Sequence, residues 1–132
     1  MDIAAREKEG VAILDLRGRL TVGGDSTALR ERIASVVASG VKNVILNLEK
    51  VDYIDSTGLG SLVICFTTMR KAGGALKLLN LDKRAIELLV LTKLTTVFEI
   101  FSDEQDAVNS FFPNREIRRF DILNFVQSQQ DD

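Results

Sequence analysis

Histidine and tryptophan are absent from this 132-residue chain, and proline and cysteine occur once each. Histidine is the commonest general base and a leading metal ligand, so its absence removes the usual carrier of acid–base catalysis and of many metal sites. We therefore expect a protein that is not an enzyme and that binds no metal and no cofactor. The single cysteine, Cys65, cannot form a disulfide within the chain.

An excess of basic charge and a long apolar run are missing as well. Lys and Arg number 17 against 19 Asp and Glu, whereas dedicated nucleic-acid-binding domains usually show a clustered basic face. No apolar run approaches the roughly 18 residues of a membrane span, and the first residues lack the order of a signal peptide. We expect a cytoplasmic protein whose partners include neither nucleic acid nor a membrane.

What the chain does contain is an alternation of strand and helix periods over residues 1–113. The run at 44–48 is almost continuously apolar, which is typical of a strand covered on both faces. The predicted order begins with a hairpin turning at Glu9-Gly10, a helix capped by Asp25 or Ser26 and ended by Gly40, and a strand over 44–48. A helix capped by Asp55 or Ser56 and ended by Gly73-Gly74 follows, and after it a strand over 75–79 and a helix capped by Asp82. The last elements are a strand over 96–100 and a helix from Asp103 to near Phe112-Pro113.

This order predicts an α/β fold in one domain, residues 1–113. An opening β-hairpin leads into alternating strands and helices, which form a mixed, largely parallel central sheet of about five strands flanked by about four helices. The short connections leave no room for a second domain before Pro113.

Residues 114–132 form a C-terminal extension with a different pattern, charged first and apolar after. Ile117, Phe120, Leu123 and Val126 fit one face of a helix, whereas Phe120, Ile122 and Val126 fit a strand. One interpretation is a partly helical tail docked on its own domain. The other is an element that binds a partner or a second subunit, which would make the chain a homodimer.

The stretch 51–60 carries the candidate chemistry, because it follows the central strand, where open α/β sheets place their functional loops. Ser56 and Thr57 offer two hydroxyls at a helix N-terminus, which favours negative charge such as a phosphate. Gly58 and Gly60 lack side chains, so we expect them to let another surface approach these hydroxyls. The alternative is that Asp55 and Ser56 only cap the helix. Aspartic-protease and P-loop motifs do not match this stretch.

The sequence Asp55-Ser56-Thr57-Gly58-Leu59-Gly60, with the apolar strand before it and Gly73-Gly74 after the helix, resembles the STAS domain of anti-sigma factor antagonists. The resemblance covers about residues 3–112. It implies a switch protein that, unphosphorylated, binds an anti-sigma factor and frees the sigma factor. It also implies that this anti-sigma factor is a serine kinase that phosphorylates Ser56, with Thr57 the less favoured acceptor, and that a PP2C-like phosphatase restores the serine.

The chain departs from the familiar antagonists after its second strand, where Gly18-Arg19-Leu20-Thr21 has Thr21 in place of an acidic residue. In the family this loop lies near the phosphorylated serine, so the resemblance extends the partner-binding surface to it. The predicted partner-binding residues are Thr21, Gly24, Asp25, Ser26, Asp55, Ser56, Thr57, Gly58, Leu59, Gly60, Ser61 and Ile64.

Two further hypotheses remain open from the sequence. In one, the chain is a STAS scaffold or sensor subunit whose Ser56 is never modified. In the other, it is a small-ligand or nucleotide-binding module that uses the 55–60 loop as an anion site.

Overall fold

The computed structural model of the protein describes residues 1–117, so the predictions for Phe120, Leu123 and Val126 lie outside the described residues. Arg115, near the start of the extension, pairs with Glu9 at 2.9 Å. The domain boundary at residue 113 stays a prediction. The elements are β1 (Asp2–Lys8), β2 (Val11–Leu20), α1 (Gly24–Ala38), β3 (Asn43–Ile54), α2 (Ser56–Lys71), β4 (Ala75–Leu79), α3 (Lys83–Leu91), a 3-10 helix (Leu94–Thr96), β5 (Ile100–Phe101) and α4 (Glu104–Asn109).

The predicted fold class is confirmed: the described residues form one mixed sheet of five strands, in the order β1-β2-β3-β4-β5. The opening hairpin pairs β1 with β2 antiparallel, and all later neighbours are parallel. Glu9 and Gly10 turn the hairpin with φ of 54° and 85°, as two-residue hairpin turns require.

Alternation along the strands divides the core between the two faces of the sheet. Leu14 and Leu46 belong to a cluster that also holds buried residues of α1, α2 and α3. Ile13 and Ile45, one position away, join a smaller cluster with Val108 of α4. Three helices therefore cover one face and α4 covers part of the other. No helix within residues 1–117 has both the length and the apolar character to cross a bilayer.

Three of the predicted helix starts are confirmed, and one is wrong. Asp55, Asp82 and Asp103 each accept a hydrogen bond from a backbone N–H three residues on, at 2.7, 2.8 and 3.0 Å. By contrast, α1 begins after Gly23 without any side-chain cap, and Asp25 and Ser26 lie within its first turn. Gly23 has φ of 99°, a conformation that Ser or Asp would adopt only with strain.

The predicted strand over 96–100 is also wrong. Lys93 has φ of 61° and leads into a 3-10 turn at Leu94–Thr96, so that only Ile100–Phe101 pair with β4. Phe98 instead packs edge-on against Phe66 of α2, with ring centroids 5.5 Å apart. Tertiary packing has overridden the β-propensity of this segment. The last helix is shorter than predicted and ends at Asn109.

Candidate functional site

The candidate site lies at the carboxyl edge of the sheet, where β2 and β3 end side by side. Leu20 is in register with Ile54, and the Asp55 N–H donates to the Leu20 carbonyl at 3.3 Å. The segment after β2 and the start of α2 therefore share this edge. The strand β3 runs through Ile54, so residues 51–54, predicted as loop, are strand, and Asp55 alone separates strand from helix.

The sequence left open whether Asp55 and Ser56 only cap the helix or offer a functional hydroxyl. In the structure Asp55 has the first role, and Ser56 offers the hydroxyl. The Asp55 carboxylate caps α2 by accepting from the Gly58 N–H at 2.7 Å. Ser56 is the first helical residue, and its side chain is exposed. Its hydroxyl thus stands at the positive end of the helix dipole, where it is open to a modifying enzyme or a partner.

Gly58 has a different purpose from the predicted one. A Cβ at this position would lie 1.9 Å from the Leu20 carbonyl oxygen and 2.7 Å from its carbon. Its missing side chain therefore lets α2 approach β2 within the same molecule, not a partner's surface. At Gly60 a Cβ would meet nothing within 4 Å, so no contact within the molecule requires this glycine, and the prediction that it admits another surface stays a prediction.

Burial separates the predicted partner-binding residues into two groups. Ser26 and Ser61 are only 2% and 3% exposed, and their hydroxyls donate to the Thr21 and Thr57 carbonyls at 2.5 and 3.2 Å. Gly58 and Leu59 are buried too, so these residues offer no surface for direct contact, which corrects that part of the prediction. The accessible members are Thr21, Gly24, Asp25, Asp55, Ser56, Thr57, Gly60 and Ile64.

Asp25 is accessible but already has a partner. Its carboxylate accepts from the Met1 ammonium at 2.8 Å, a contact that raises the pKa of that amine. This ion pair fixes the start of β1 against the first turn of α1.

Two features of this edge were missed from the sequence. The first is Val22, which is 71% exposed in the segment between β2 and α1. Its position directly before Gly23-Gly24 was the signal in the sequence that could have indicated an exposed apolar residue. Tyr53 is the second, and it lies between two arginines. Arg84 stacks on its ring at 4.4 Å and donates to its hydroxyl at 3.2 Å, while Arg19 lies 5.3 Å from the ring centre.

Cys65 contributes no nucleophile to this edge. It is 1% exposed within α2, and burial raises the pKa of its thiol to about 12. It packs in the core as a small apolar side chain.

Comparison with known proteins identifies the family. The STAS domain family model matches residues 2–107. The chain is also 31% identical over 108 residues to the anti-sigma-B factor antagonist of Bacillus subtilis, covering 82% of this chain and 97% of that protein. The chain therefore belongs to the STAS domain family, and within it to the anti-sigma factor antagonists. This confirms the resemblance drawn from residues 55–60.

Solved structures share the fold. Phosphorylated SpoIIAA of Bacillus is 18% identical, with a TM-score of 0.65, and the alignment covers 83% of this chain and 99% of that one. An anti-sigma factor antagonist from Mycobacterium paratuberculosis is 21% identical, with a TM-score of 0.70, covering 83% and 92%. At these identities the likeness establishes the arrangement of strands and helices alone.

Proposed function

We propose that this protein is a phosphorylation-controlled antagonist that binds an anti-sigma factor when Ser56 is free and releases it when Ser56 is phosphorylated. The observation that carries this proposal is the exposed Ser56 hydroxyl at the first position of α2, held there by the Asp55 cap. The relative SpoIIAA, whose structure is known in unphosphorylated and phosphorylated forms, supports the same control here.

The proposed contact surface, which we call the edge surface, consists of Val22, Gly24, Ser56, Thr57, Gly60 and Ile64. Thr57, Gly60 and Ile64 follow one another at helical spacing along α2, and Ile64 is 46% exposed. None of these six residues carries a charge. A partner that buries them gains apolar area, and it encounters a neutral hydroxyl at Ser56.

Phosphorylation would act on the interface more than on the fold. A phosphate carries about −1.5 to −2 charges, which the N-terminus of α2 can accommodate locally. Burying that charge against a surface suited to a neutral hydroxyl, with the Asp55 carboxylate adjacent, would cost several kcal/mol. About 5.5 kcal/mol is enough to move a two-state partition from 99:1 to 1:99.

In this function the chain is a substrate and a ligand, not an enzyme. The anti-sigma factor, acting as an ATP-dependent serine kinase, would supply the groups that phosphorylate Ser56. A PP2C-like phosphatase would supply those that reverse the modification. Both reactions would take place in the cytoplasm, and the edge surface would hold no cofactor.

The proposal is tested with a purified serine-kinase anti-sigma factor from the same cell. Wild type, Ser56→Ala and Ser56→Asp are compared for binding, and Thr57→Ala is the matched control for phosphorylation, since it should still accept the phosphate. We expect wild type and Ser56→Ala to bind alike, and Ser56→Asp to bind at least about 100-fold more weakly. Incubation with ATP followed by mass spectrometry should place one phosphate on Ser56 and none on the Ser56→Ala protein.

The stability of the Ser56 variants distinguishes a blocked interface from a damaged fold. Ser56→Asp adds a charge at an exposed helix N-terminus, so we expect its free energy of unfolding to stay within about 0.5 kcal/mol of wild type. Full binding by Ser56→Asp, or phosphate found only at another residue, would refute control through Ser56.

A further inference from the structure

The first strand leaves one edge of the sheet open. Among the described residues β1 pairs with β2 alone, and it is seven residues long. The strand at the opposite edge, β5, has only two residues. Unpaired N–H and C=O groups along an edge strand form a template for pairing with another chain.

The sequence of β1 is complementary to itself when two copies run antiparallel. With Ala5 opposite Ala5 of the second copy, Asp2 lies opposite Lys8 and Ile3 lies opposite Glu7. Arg6 lies opposite Ala4, so no like charges lie directly opposite each other. A shift of the register by one residue would place Asp2 opposite Glu7 or Glu9, which repels. The small side chains of Ala4 and Ala5 leave the centre of the strand accessible.

A groove beside this edge extends the complementarity to α1. A cavity of about 400 Å³ lies between β1 and α1, lined by Met1, Ile3, Ala28, Glu31, Arg32 and Ser35. Directly opposite residues of an antiparallel pair point to the same face. Glu7 of a second copy, opposite Ile3, would therefore project into this groove, where Arg32 is the basic residue and Glu31 the acidic one. Within residues 1–117 neither Glu7 nor Arg32 forms an ion pair.

We propose that β1 is a self-association surface, through which two copies join their sheets antiparallel about a two-fold axis at Ala5. Glu7 of each copy pairs with Arg32 of the other, and Asp2 lies opposite Lys8, whose ammonium is also 3.5 Å from Glu104 of its own copy. The carboxyl edges of the two sheets then point in opposite directions, which leaves both edge surfaces free. With the function proposed above, on which this statement rests, the dimer is a bivalent antagonist because it carries two edge surfaces. Its interface is β1, and not the C-terminal extension that one interpretation of the sequence assigned to a homodimer.

Sedimentation of the full chain over a range of concentrations tests whether the dimer forms. Exchanging the charges of Glu7 and Arg32 tests whether β1 forms its interface. One strand per copy makes a small interface, so we expect a dissociation constant on the order of 10–100 μM. Glu7→Lys and Arg32→Glu should each weaken the dimer about tenfold or more, because each creates two like-charge pairs. The double variant should restore it. A chain that stays monomeric at 1 mM, or a dimer indifferent to both single variants, would overturn the proposal.

Cross-linking tests the register independently. Ala5→Cys places two thiols at the two-fold axis, and a short bismaleimide should link them into a covalent dimer. Ala34→Cys, exposed on α1 but absent from the groove, is the matched control and should stay uncrosslinked. The native Cys65 is buried and adds no background. Equal cross-linking of the two variants would contradict the proposed register, and circular dichroism verifies that both are folded.

Discussion

At Gly58 the backbone of α2 comes so near to β2 that an added Cβ would lie 1.9 Å from the Leu20 carbonyl oxygen. The obstacle is backbone, which cannot rotate away as a side chain can. We expect Gly58→Ala to lower the free energy of unfolding by about 1–3 kcal/mol or more, as overpacking does. Urea denaturation measures this loss.

Gly60→Ala is the matched control in the same helix. A Cβ there meets nothing within 4 Å, and alanine favours a helix over glycine by about 1 kcal/mol. Gly60→Ala should therefore be neutral or stabilising. Equal destabilisation by Gly58→Ala and Gly60→Ala would show that the close approach to Leu20 is not the reason why position 58 needs glycine.

Cys65 gives a second prediction at the residue scale, concerning thiol reactivity. With its pKa raised to about 12 by burial, the thiolate fraction at pH 8 is negligible and the sulfur is inaccessible. We expect the folded protein to react with Ellman's reagent at least about 100-fold more slowly than the same protein in urea. Rapid labelling of the folded protein would contradict the burial of this side chain.

At the scale of elements, the start of α2 depends on one carboxylate. Asp55→Ala removes the acceptor for the Gly58 N–H, and we expect a loss of about 1 kcal/mol in the free energy of unfolding. Asp55→Asn keeps a side-chain oxygen and should retain most of the stability. Thermal unfolding measures both, and equal losses would assign the effect to charge instead of to capping.

The helix α4 is the element held most by charged groups. Arg6 of β1 donates to Asp15 of β2 at 2.7 Å and also to Glu104 in the first turn of α4. From the other end, the buried Lys77 ammonium of β4 donates to the Ser110 carbonyl at 3.1 Å. These contacts fix a six-residue helix that is too short to be stable alone.

At the scale of the whole molecule, the Arg6 contacts belong to a chain of polar groups across the sheet. Asp15 accepts from Asn47 at 2.8 Å, and Asn47 accepts from Asn80 at 3.0 Å. Four neighbouring segments, from β1 to the end of β4, are thereby joined on the face that α4 covers only in part. Hydrogen bonds from Arg6 lower the pKa of both Asp15 and Glu104.

These lowered pKa values predict how stability depends on pH. Carboxyls whose pKa falls on folding stabilise the protein above their ordinary pKa of about 4, and lose this contribution as pH falls through the lower folded values. About a third of each side chain is exposed, so we expect the three-group network to contribute only about 1 kcal/mol near pH 7.

The comparison of wild type with Arg6→Met isolates this contribution. Their difference in free energy of unfolding should be about 1 kcal/mol at pH 7 and should approach zero near pH 2. Chemical denaturation at several pH values measures it. A difference that stays constant over this range would show that the ion pairs of Arg6 with Asp15 and Glu104 are not the source of its stabilisation.

Local signals in the sequence predicted the elements that local physics governs. Asp82 and Asp103 stand directly before helices because short acceptors satisfy the first free N–H groups. The strand over 75–79 was found because its apolar run lies between Gly74 and the Asp82 cap. Local signals also indicated the hydroxyls of Ser56 and Thr57 beside a cap and two glycines, and the resemblance of residues 55–60 then singled out Ser56.

The errors concern contacts between residues distant in the chain. Thr96 and Val97 have strand propensity, yet the packing of Phe98 on Phe66 places them in a 3-10 turn and the residues after it. Ser26 and Ser61 read as surface hydroxyls, but the approach of neighbouring elements buries them. Periodicity contains no information on which helix covers a given residue.

The sequence by itself determined the alternation of strands and helices, because caps, apolar runs and turn residues act within a few positions. Through the resemblance of residues 55–60 it also determined the family, and with it Ser56 as the candidate residue. Only the tertiary structure decided that Gly58 is needed against Leu20, that Val22 is exposed between β2 and α1, and that β1 is an open edge of the described sheet. These properties depend on which segments become neighbours, and that is fixed when the whole sheet and its helices pack together.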